Sequence, residues 1–222
     1  MYLRKRHIAS SYLPSRYRYW YSLSKLAMDP LYDSVPAAFA GNSAPILDLG
    51  CGIGLLLHCL RASGSRSPYV GVDTDAEKIE AARLASARSG HSDAAFDVCD
   101  LSKQFPKHEG SVALLDVLQY LPPEAQEPLI AQAAQCVSRD GRLVIRTGLA
   151  DSSWRSTLTR ATDRFGHWVG WMKTSFKAQP SAADLAAVLR RHGLEAEFKP
   201  LWGRTPFNNW LVVAIRDRSR TP

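Results

Sequence analysis

From residue 45 onward, short apolar runs alternate with stretches whose apolar positions return every three or four residues. "PILDLG" (45–50) is an apolar run closed by glycine, the pattern of a buried strand. An apolar helix is expected at 53–63 and a second strand at "YVGVD" (69–73). "AEKIEAARLASARSG" (76–90) has the period of a helix, with Gly90 as its stop. "AAFDVC" (94–99) and "SVALLDV" (111–117) are the third and fourth strands, and a helix covers roughly 123–138. Pro128 either starts the main body of that helix or kinks its first turn. "GRLVIRTG" (141–148) is the fifth strand.

Strands that alternate with helices pair in parallel through right-handed crossovers. After residue 148 the pattern changes. Residues 149–180 are irregular, aromatic and basic. "SAADLAAVLRRHG" is then a helix, with Ser181 and Asp184 spaced as a capping box and Gly193 as its stop. "LEAEFKPLW" (194–202) and "NWLVVAIR" (209–216) are two strands whose short link permits only an antiparallel hairpin. The expectation is an α/β chain of seven strands. It divides into a basic, aromatic, helical cap (1–40) on one globular domain (41–222).

The bulk composition, 45% hydrophobic and 22% charged over 222 residues, is that of an ordinary globular chain. No run approaches the roughly 20 apolar residues of a transmembrane helix, and the N-terminus lacks the apolar core of a secretory signal. Cys51, Cys59, Cys99 and Cys136 form no C-x-x-C pair and are expected to be buried, reduced thiols of a cytoplasmic protein, with no metal. The net charge of +7 is uneven: Arg4, Lys5, Arg6, Arg16, Arg18 and Lys25 all precede the first acid, Asp29. Such an arm attracts phosphate, an acidic protein or an anionic membrane surface, or serves only as a soluble face.

The most informative stretch is "ILDLGCGIGLL" (46–56). A glycine loop between a strand and its helix offers free N–H groups to a ligand. The dinucleotide fingerprint would place a third glycine where Leu55 stands, which counts against a nicotinamide dehydrogenase. Asp48 just before the loop repels a pyrophosphate but suits a cationic ammonium group. Asp73 ends the second strand, where an acid accepts hydrogen bonds from ribose hydroxyls. Asp100 ends the third and can meet an adenine amino group. Adenosine with an amino-acid tail fits these acids better than a dinucleotide does.

"LDLGCGIG", "VGVDTD", "FDVCDL", "LLDVLQYLP" and "SRDGRLVIR" occur in the order and spacing of class I S-adenosylmethionine-dependent methyltransferases, which the chain resembles over residues 41–216. The resemblance implies a Rossmann-like, mostly parallel seven-stranded sheet with helices on both faces and a C-terminal antiparallel hairpin. It implies S-adenosyl-L-methionine as cofactor and S-adenosyl-L-homocysteine as product. Asp48, Gly50, Cys51 and Gly52 would line the methionine part. Asp73 would hold the ribose hydroxyls, with Thr74 beside them, and Asp100 and Leu101 would contact adenine. Asp116 to Tyr120 would lie under the sulfonium, beside the acceptor. Asp100 also reads as a loop solvator, and Asp116 as a helix cap or loop anchor.

An acceptor would sit beyond the carboxyl ends of the strands. The segments able to cover that edge are rich in aromatics: Tyr17, Tyr19, Trp20, Tyr21, Tyr120, Trp154, Phe165, Trp168, Trp171, Phe176, Trp202 and Phe207. Trp20 and Tyr21 read as core residues of a docking helix with Leu23 and Leu26, and Trp202 and Trp210 as packing on the sheet. Tyr19, Gln119, Tyr120, Trp168 and Phe207 are the candidate contacts for an apolar, aromatic or acyl-type acceptor. Tyr120 and His167 are the candidate catalytic groups, His167 either as a base or as a polar lid residue. His58, on an apolar helix, reads as a satisfied core or surface histidine.

The post-strand-four motif of enzymes that methylate base amino groups does not match "DVLQYLPP", and "DPLY" (29–32) reads as a turn. The paired-glutamate loop of protein-arginine methyltransferases is missing too. Nucleic acid is therefore not the expected partner, and an RNA methyltransferase or a non-catalytic, cofactor-binding partner subunit stand as alternatives. The basic lead before a small domain also resembles methyltransferases of bacterial pigment and aryl polyene clusters. That would imply an aromatic acceptor tethered to an acidic carrier protein. No oligomeric state follows from the sequence.

Overall fold

The computed structural model describes residues 2–150, 178–203 and 208–217. Three helices, α1 (Tyr2–Ser10), α2 (Arg16–Met28) and α3 (Leu31–Ala38), precede the sheet. Then come β1 (Ile46–Leu49), α4 (Leu55–Ala62), β2 (Tyr69–Asp73), α5 (Ala76–Arg88), β3 (Ala94–Val98) and β4 (Ser111–Leu115). A 3-10 turn at Leu118–Tyr120, α6 (Pro123–Gln135), β5 (Arg142–Gly148), α7 (Ala182–Arg191), β6 (Leu194–Pro200) and β7 (Asn209–Arg216) complete the described elements. The seven strands run in the order β3-β2-β1-β4-β5-β7-β6. The first five are parallel, whereas β7 is antiparallel to both β5 and β6. The parallel strands and the terminal antiparallel hairpin are what the alternation predicts, and the whole is the Rossmann-like seven-stranded sheet that the resemblance implies.

The period-two geometry of the strands sorts the core into two layers. Leu47, Leu49, Val112, Leu114, Leu143 and Ile145 meet α6 and α7 through Leu129, Ile130, Leu185 and Leu189. On the other face, Ile46, Tyr69, Ala113 and Val144 meet α3, α4 and α5 through Val35, Leu57, Leu60 and Ile79. Continuous apolar strands are what a parallel sheet covered on both faces requires.

Several elements differ from the sequence reading. The helix expected at 53–63 starts at Leu55, because Gly54 takes a left-handed φ of +75° as its N-cap. Pro123 occupies the first turn of α6, so Pro128 neither starts the helix nor ends it; it lies inside. Trp20 and Tyr21 are not core: they are 59% and 38% exposed, while Leu23 and Leu26 are buried. The 100° step per residue turns positions 20 and 21 away from the face shared by 23 and 26. Of the four free cysteines only Cys59 is buried. Cys51, Cys99 and Cys136, at a loop, a strand end and a helix C-cap, are half-buried, each packed against the edge of a core layer. His58 is buried, but its Nε2 has no hydrogen-bond partner among the described residues. Burial, with help from His91 and Arg61, pulls its pKa down to about 4, so it packs as a neutral ring against Tyr12 and His91. "DPLY", read as a turn, is one only in part: Asp29 and Pro30 link α2 to α3, whereas Leu31 and Tyr32 open α3, with Leu31 N–H donating to Asp29 Oδ1.

Candidate functional site

Gly50, Gly52 and Gly54 all take positive φ, and they are glycine for different reasons. A Cβ on Gly50 would lie 2.5 Å from Val117, and one on Gly54 2.8 Å from the Phe96 ring. A Cβ on Gly52 would meet nothing within 4 Å, so there only its φ of +56° demands glycine. The loop therefore packs inward at two glycines and faces open space at the third. Gly50 and Cys51 N–H donate to Val72 O at 2.8 and 2.9 Å, which fixes the loop to β2.

Asp73, at the end of β2, closes this arrangement. Its Oδ2 accepts from Gly52 N–H and its Oδ1 from Asp75 N–H, each at 2.9 Å. One carboxylate thus joins the glycine loop to the start of α5, and Thr74 stands exposed on the same turn. Backbone donors leave further lone pairs on both oxygens to accept hydroxyls.

Asp48 is buried inside the sheet, with the Tyr69 hydroxyl donating to its Oδ2. Its Oδ1 is buried without a hydrogen-bond partner among the described residues. Burial pushes the carboxyl up to about 7; the Tyr69 bond works against the shift and Asp73 adds to it. Beside it, burial also raises the Cys51 thiol far above its usual range, so this cysteine is no thiolate nucleophile. A cation placed at Asp48 Oδ1 would satisfy the buried atom and restore its charge.

Asp100 turns toward its own loop. Its Oδ1 accepts from Ser102 N–H at 3.0 Å and Ser102 Oγ–H at 2.6 Å, and Lys103 lies 3.2 Å from the other oxygen. Those Ser102 bonds hold its carboxyl below the usual range. Of its two readings, loop organisation is the one these hydrogen bonds serve. Leu101 is half-buried against the first core layer.

The other half of the strand-end edge is built from charges. Asp116, just past β4, has a φ of +59°, unusual outside glycine. Its N–H donates to Arg146 O at 2.9 Å, and its carboxylate pairs with the Arg146 guanidinium. Arg146, buried on β5, also lies 3.4 Å from Asp29 Oδ2 at the C-cap of α2. Burial opposes the charge of Arg146, yet Asp116 and Asp29 more than compensate and raise its pKa. Gln119 Nε2 donates to Asp116 Oδ1 at 3.4 Å, and the Thr147 hydroxyl donates to Gln119 Oε1 at 3.4 Å. Tyr120 is half-buried at the end of the same turn. Gln126 Nε2 anchors that turn by donating to Leu118 O, Leu121 O and Ala178 O at 3.0–3.2 Å.

The N-terminal helices lie across this edge. The Tyr12 hydroxyl donates to Ile53 O in the glycine loop at 3.0 Å. Arg18 reaches Glu77 O at the start of α5, and Asp29 reaches Arg146. Tyr19 is half-buried on α2, edge-on to Trp20 with ring centroids 5.1 Å apart. Trp202 and Trp210 pack edge to face at 5.9 Å on the terminal hairpin. His167, Trp168 and Phe207 lie outside the described residues, as do Trp154, Phe165, Trp171 and Phe176.

The structure thus joins Gly50, Cys51, Gly52 and Asp73 in one backbone network beside Asp48, and Asp116 and Gln119 in another. The sequence reading missed Asp29, Tyr69, Gln126 and Arg146. An arginine inside the apolar run "GRLVIRTG" was the available signal for Arg146, since a buried guanidinium requires partners.

Among the described residues, no group of three or more His, Cys, Asp or Glu side chains could hold a metal ion. No described helix is long and apolar enough to cross a membrane. A family model described as a methyltransferase domain matches residues 19–197, whereas a search of curated proteins finds no match. Solved structures share the fold. Magnesium protoporphyrin IX methyltransferase from Synechocystis PCC 6803, with bound SAH, superposes with a TM-score of 0.67 at 20% identity, over 96% of this chain and 93% of its own. An O-methyltransferase family protein from Burkholderia thailandensis gives 0.68 at 20% identity, over 91% of this chain and 61% of its own. The pyocyanin biosynthetic protein PhzM gives 0.67 at 19% identity, over 92% of this chain and 59% of its own. The chain therefore spans less than two thirds of the last two.

Proposed function

This chain belongs to the methyltransferase domain family, and from that premise we propose that it transfers the methyl group of S-adenosylmethionine to a small apolar acceptor. When bound, the cofactor supplies an electrophilic methyl carbon on sulfur and leaves as S-adenosylhomocysteine. The observation that carries the donor assignment is the Gly52–Asp73 bridge beside the buried, unpartnered Asp48 Oδ1. Asp48 Oδ1 receives the ammonium group of the amino-acid tail, and the open face of Gly52 admits that tail. Asp73 accepts from the ribose hydroxyls, with Thr74 beside them. Asp100 and the Leu101 backbone would border the adenine.

The protein's share of the chemistry is to orient and desolvate. Asp116, held by Arg146, and Gln119, held by Thr147, would border the methyl-bearing end of the cofactor. Gln119 and Tyr120 would orient the acceptor and Tyr19 would contact it; Trp168 and Phe207, outside the described residues, are further candidate contacts from the sequence alone. His167 serves as the base where the acceptor must lose a proton. The acceptor is aromatic or acyl-type, of bacterial secondary metabolism, free or tethered to an acidic carrier protein. In support, one structural neighbour is a magnesium protoporphyrin IX methyltransferase and another a pyocyanin biosynthetic protein.

Calorimetry with S-adenosylhomocysteine tests the donor site, with micromolar-range binding expected. An absence of binding heat would sink the reading. Labelled methyl transfer to total RNA, in preference to aromatic and acyl acceptors, would move the function to RNA. A pure chain that binds cofactor yet turns over only after a second subunit is added would make it a partner subunit.

A further inference from the structure

Helix α2 carries two apolar faces. Ser22, Leu23 and Leu26 are buried on one side. At about 100° per residue, Tyr17, Trp20, Tyr21 and Met28 fall together on the opposite arc. Tyr17 is 70%, Trp20 59% and Met28 69% exposed, and Tyr17 stacks on Tyr21 with centroids 6.3 Å apart. Arg16 stands exposed at one margin of this arc, and Arg18 and Lys25 lie along the other. Single exposed apolar residues are ordinary, but a contiguous stripe marks an interaction surface. Of the nine large apolar residues that are exposed among those described, six lie in the first 28 residues: Leu3, Leu13, Tyr17, Trp20, Tyr21 and Met28. The same stretch has six Lys and Arg residues and no acid.

We propose that this outer face of α2 docks on an anionic lipid bilayer, with Tyr17, Trp20, Tyr21 and Met28 among the headgroups and Arg16 against their phosphates. Aromatic rings with one polar end settle at the headgroup level, and flanking cations add attraction to acidic lipids. Six cations and no acid in the first 28 residues complement an anionic surface, and the hydroxyl ends of Tyr17 and Tyr21 and the indole N–H of Trp20 suit the headgroup level. Docking also has a geometric result: α2 touches Glu77 through Arg18 and Arg146 through Asp29, so the helix that meets the bilayer also borders the strand-end site. An apolar acceptor of the kind proposed above would reach it from the lipid phase. That last step rests on the methyl-transfer reading, whereas docking itself does not.

The test is co-sedimentation of the full chain with phosphatidylcholine vesicles, with and without phosphatidylglycerol. Partitioning onto the anionic vesicles is expected to exceed that onto neutral ones by roughly tenfold and to fall in high salt. The combined Tyr17→Ser, Trp20→Ser and Met28→Ser variant should lose about tenfold in partitioning while its affinity for S-adenosylhomocysteine stays unchanged. Three outcomes overturn the proposal: the parent chain stays in the supernatant, it binds both vesicle types equally, or the triple variant pellets like the parent. Loss of transfer to a carrier-tethered acceptor in the triple variant, with no vesicle binding by the parent, would assign the face to an acidic protein instead. Failure to bind S-adenosylhomocysteine would remove the methyl-transfer reading and leave the vesicle result standing.

Discussion

The strand-end edge has two halves, and they are built differently. Between β1 and β3 the contacts are made by backbone: Gly50, Cys51, Gly52 and Asp75 N–H groups fix the loops, and a single side chain, Asp73, ties two of them together. Between β4 and β5 the contacts are made by buried charges. Arg146 holds Asp116 from 30 residues away and Asp29 from 117. A backbone-built half is formed as soon as its strands pair. A charge-built half needs distant parts of the chain in place together, and it couples the N-terminal helices to the sheet. The donor side is therefore a seat of local backbone bonds that the cap touches through the Tyr12 and Arg18 hydrogen bonds, and the acceptor side is a joint of buried charges between cap and sheet.

Arg146→Met strikes the joint hardest. It leaves two carboxylates without their shared cation, a loss of roughly 3–5 kcal/mol where a buried pair is broken. Urea unfolding measures it. In conditions where the variant stays folded, S-adenosylhomocysteine affinity should change less than about threefold, because the backbone network does not pass through Arg146. A collapse of cofactor affinity in the folded variant would show that the two halves are one.

Asp73→Asn is the converse. It weakens charge-assisted bonds to the ribose and should cost about 100-fold in affinity by calorimetry, near 2.7 kcal/mol. The unfolding midpoint should fall as well, by the equivalent of about 1 kcal/mol, since the amide has one acceptor oxygen for the two N–H groups of Gly52 and Asp75. A variant that binds as tightly as the parent would remove Asp73 from the seat.

Asp48 sharpens the comparison through pH. Its folded pKa is raised to about 7, so above the ordinary carboxylate range the native state keeps a proton that the unfolded chain has released. Stability should therefore fall as pH rises toward about 7, by up to about 1.4 kcal/mol per pH unit. Asp48→Asn should flatten this slope. An ammonium ligand favours the charged form, so cofactor affinity in the parent should rise over the same window and level off above it. Denaturant titrations across the window check the first effect and calorimetry the second; parallel curves for parent and variant would refute both. The smallest effect belongs to Asp100→Asn. Its side chain organises an exposed turn, and less than about a fivefold change in affinity is expected.

The donor half was legible in the sequence because its determinants are local. Glycines at alternate positions, an acid at each strand end and a hairpin too short for a crossover all declare themselves within a few residues. The acceptor half was not. Nothing in "DPLY" shows that Asp29 reaches an arginine more than a hundred residues on; in the donor half the one such link is Tyr69 to Asp48, which no short-range period announces. Trp20 and Tyr21 were misplaced for a related reason. α2 is apolar on two arcs, and residue type alone does not tell which arc the core takes; the burial of Leu23 and Leu26 decides it.

The order of the last strands adds a consequence for synthesis. β6 leaves the ribosome before β7 but lies outside it, and β7 fills the place between β5 and β6. A nascent chain that has reached β6 therefore carries β5 with an open edge and β6 with no strand beside it, two exposed ladders at once. The acceptor half, which depends on β5, is completed only when the later strand slides between them. In that interval this enzyme is at its most vulnerable to misassembly, and a chaperone that shields open strand edges would find its target there.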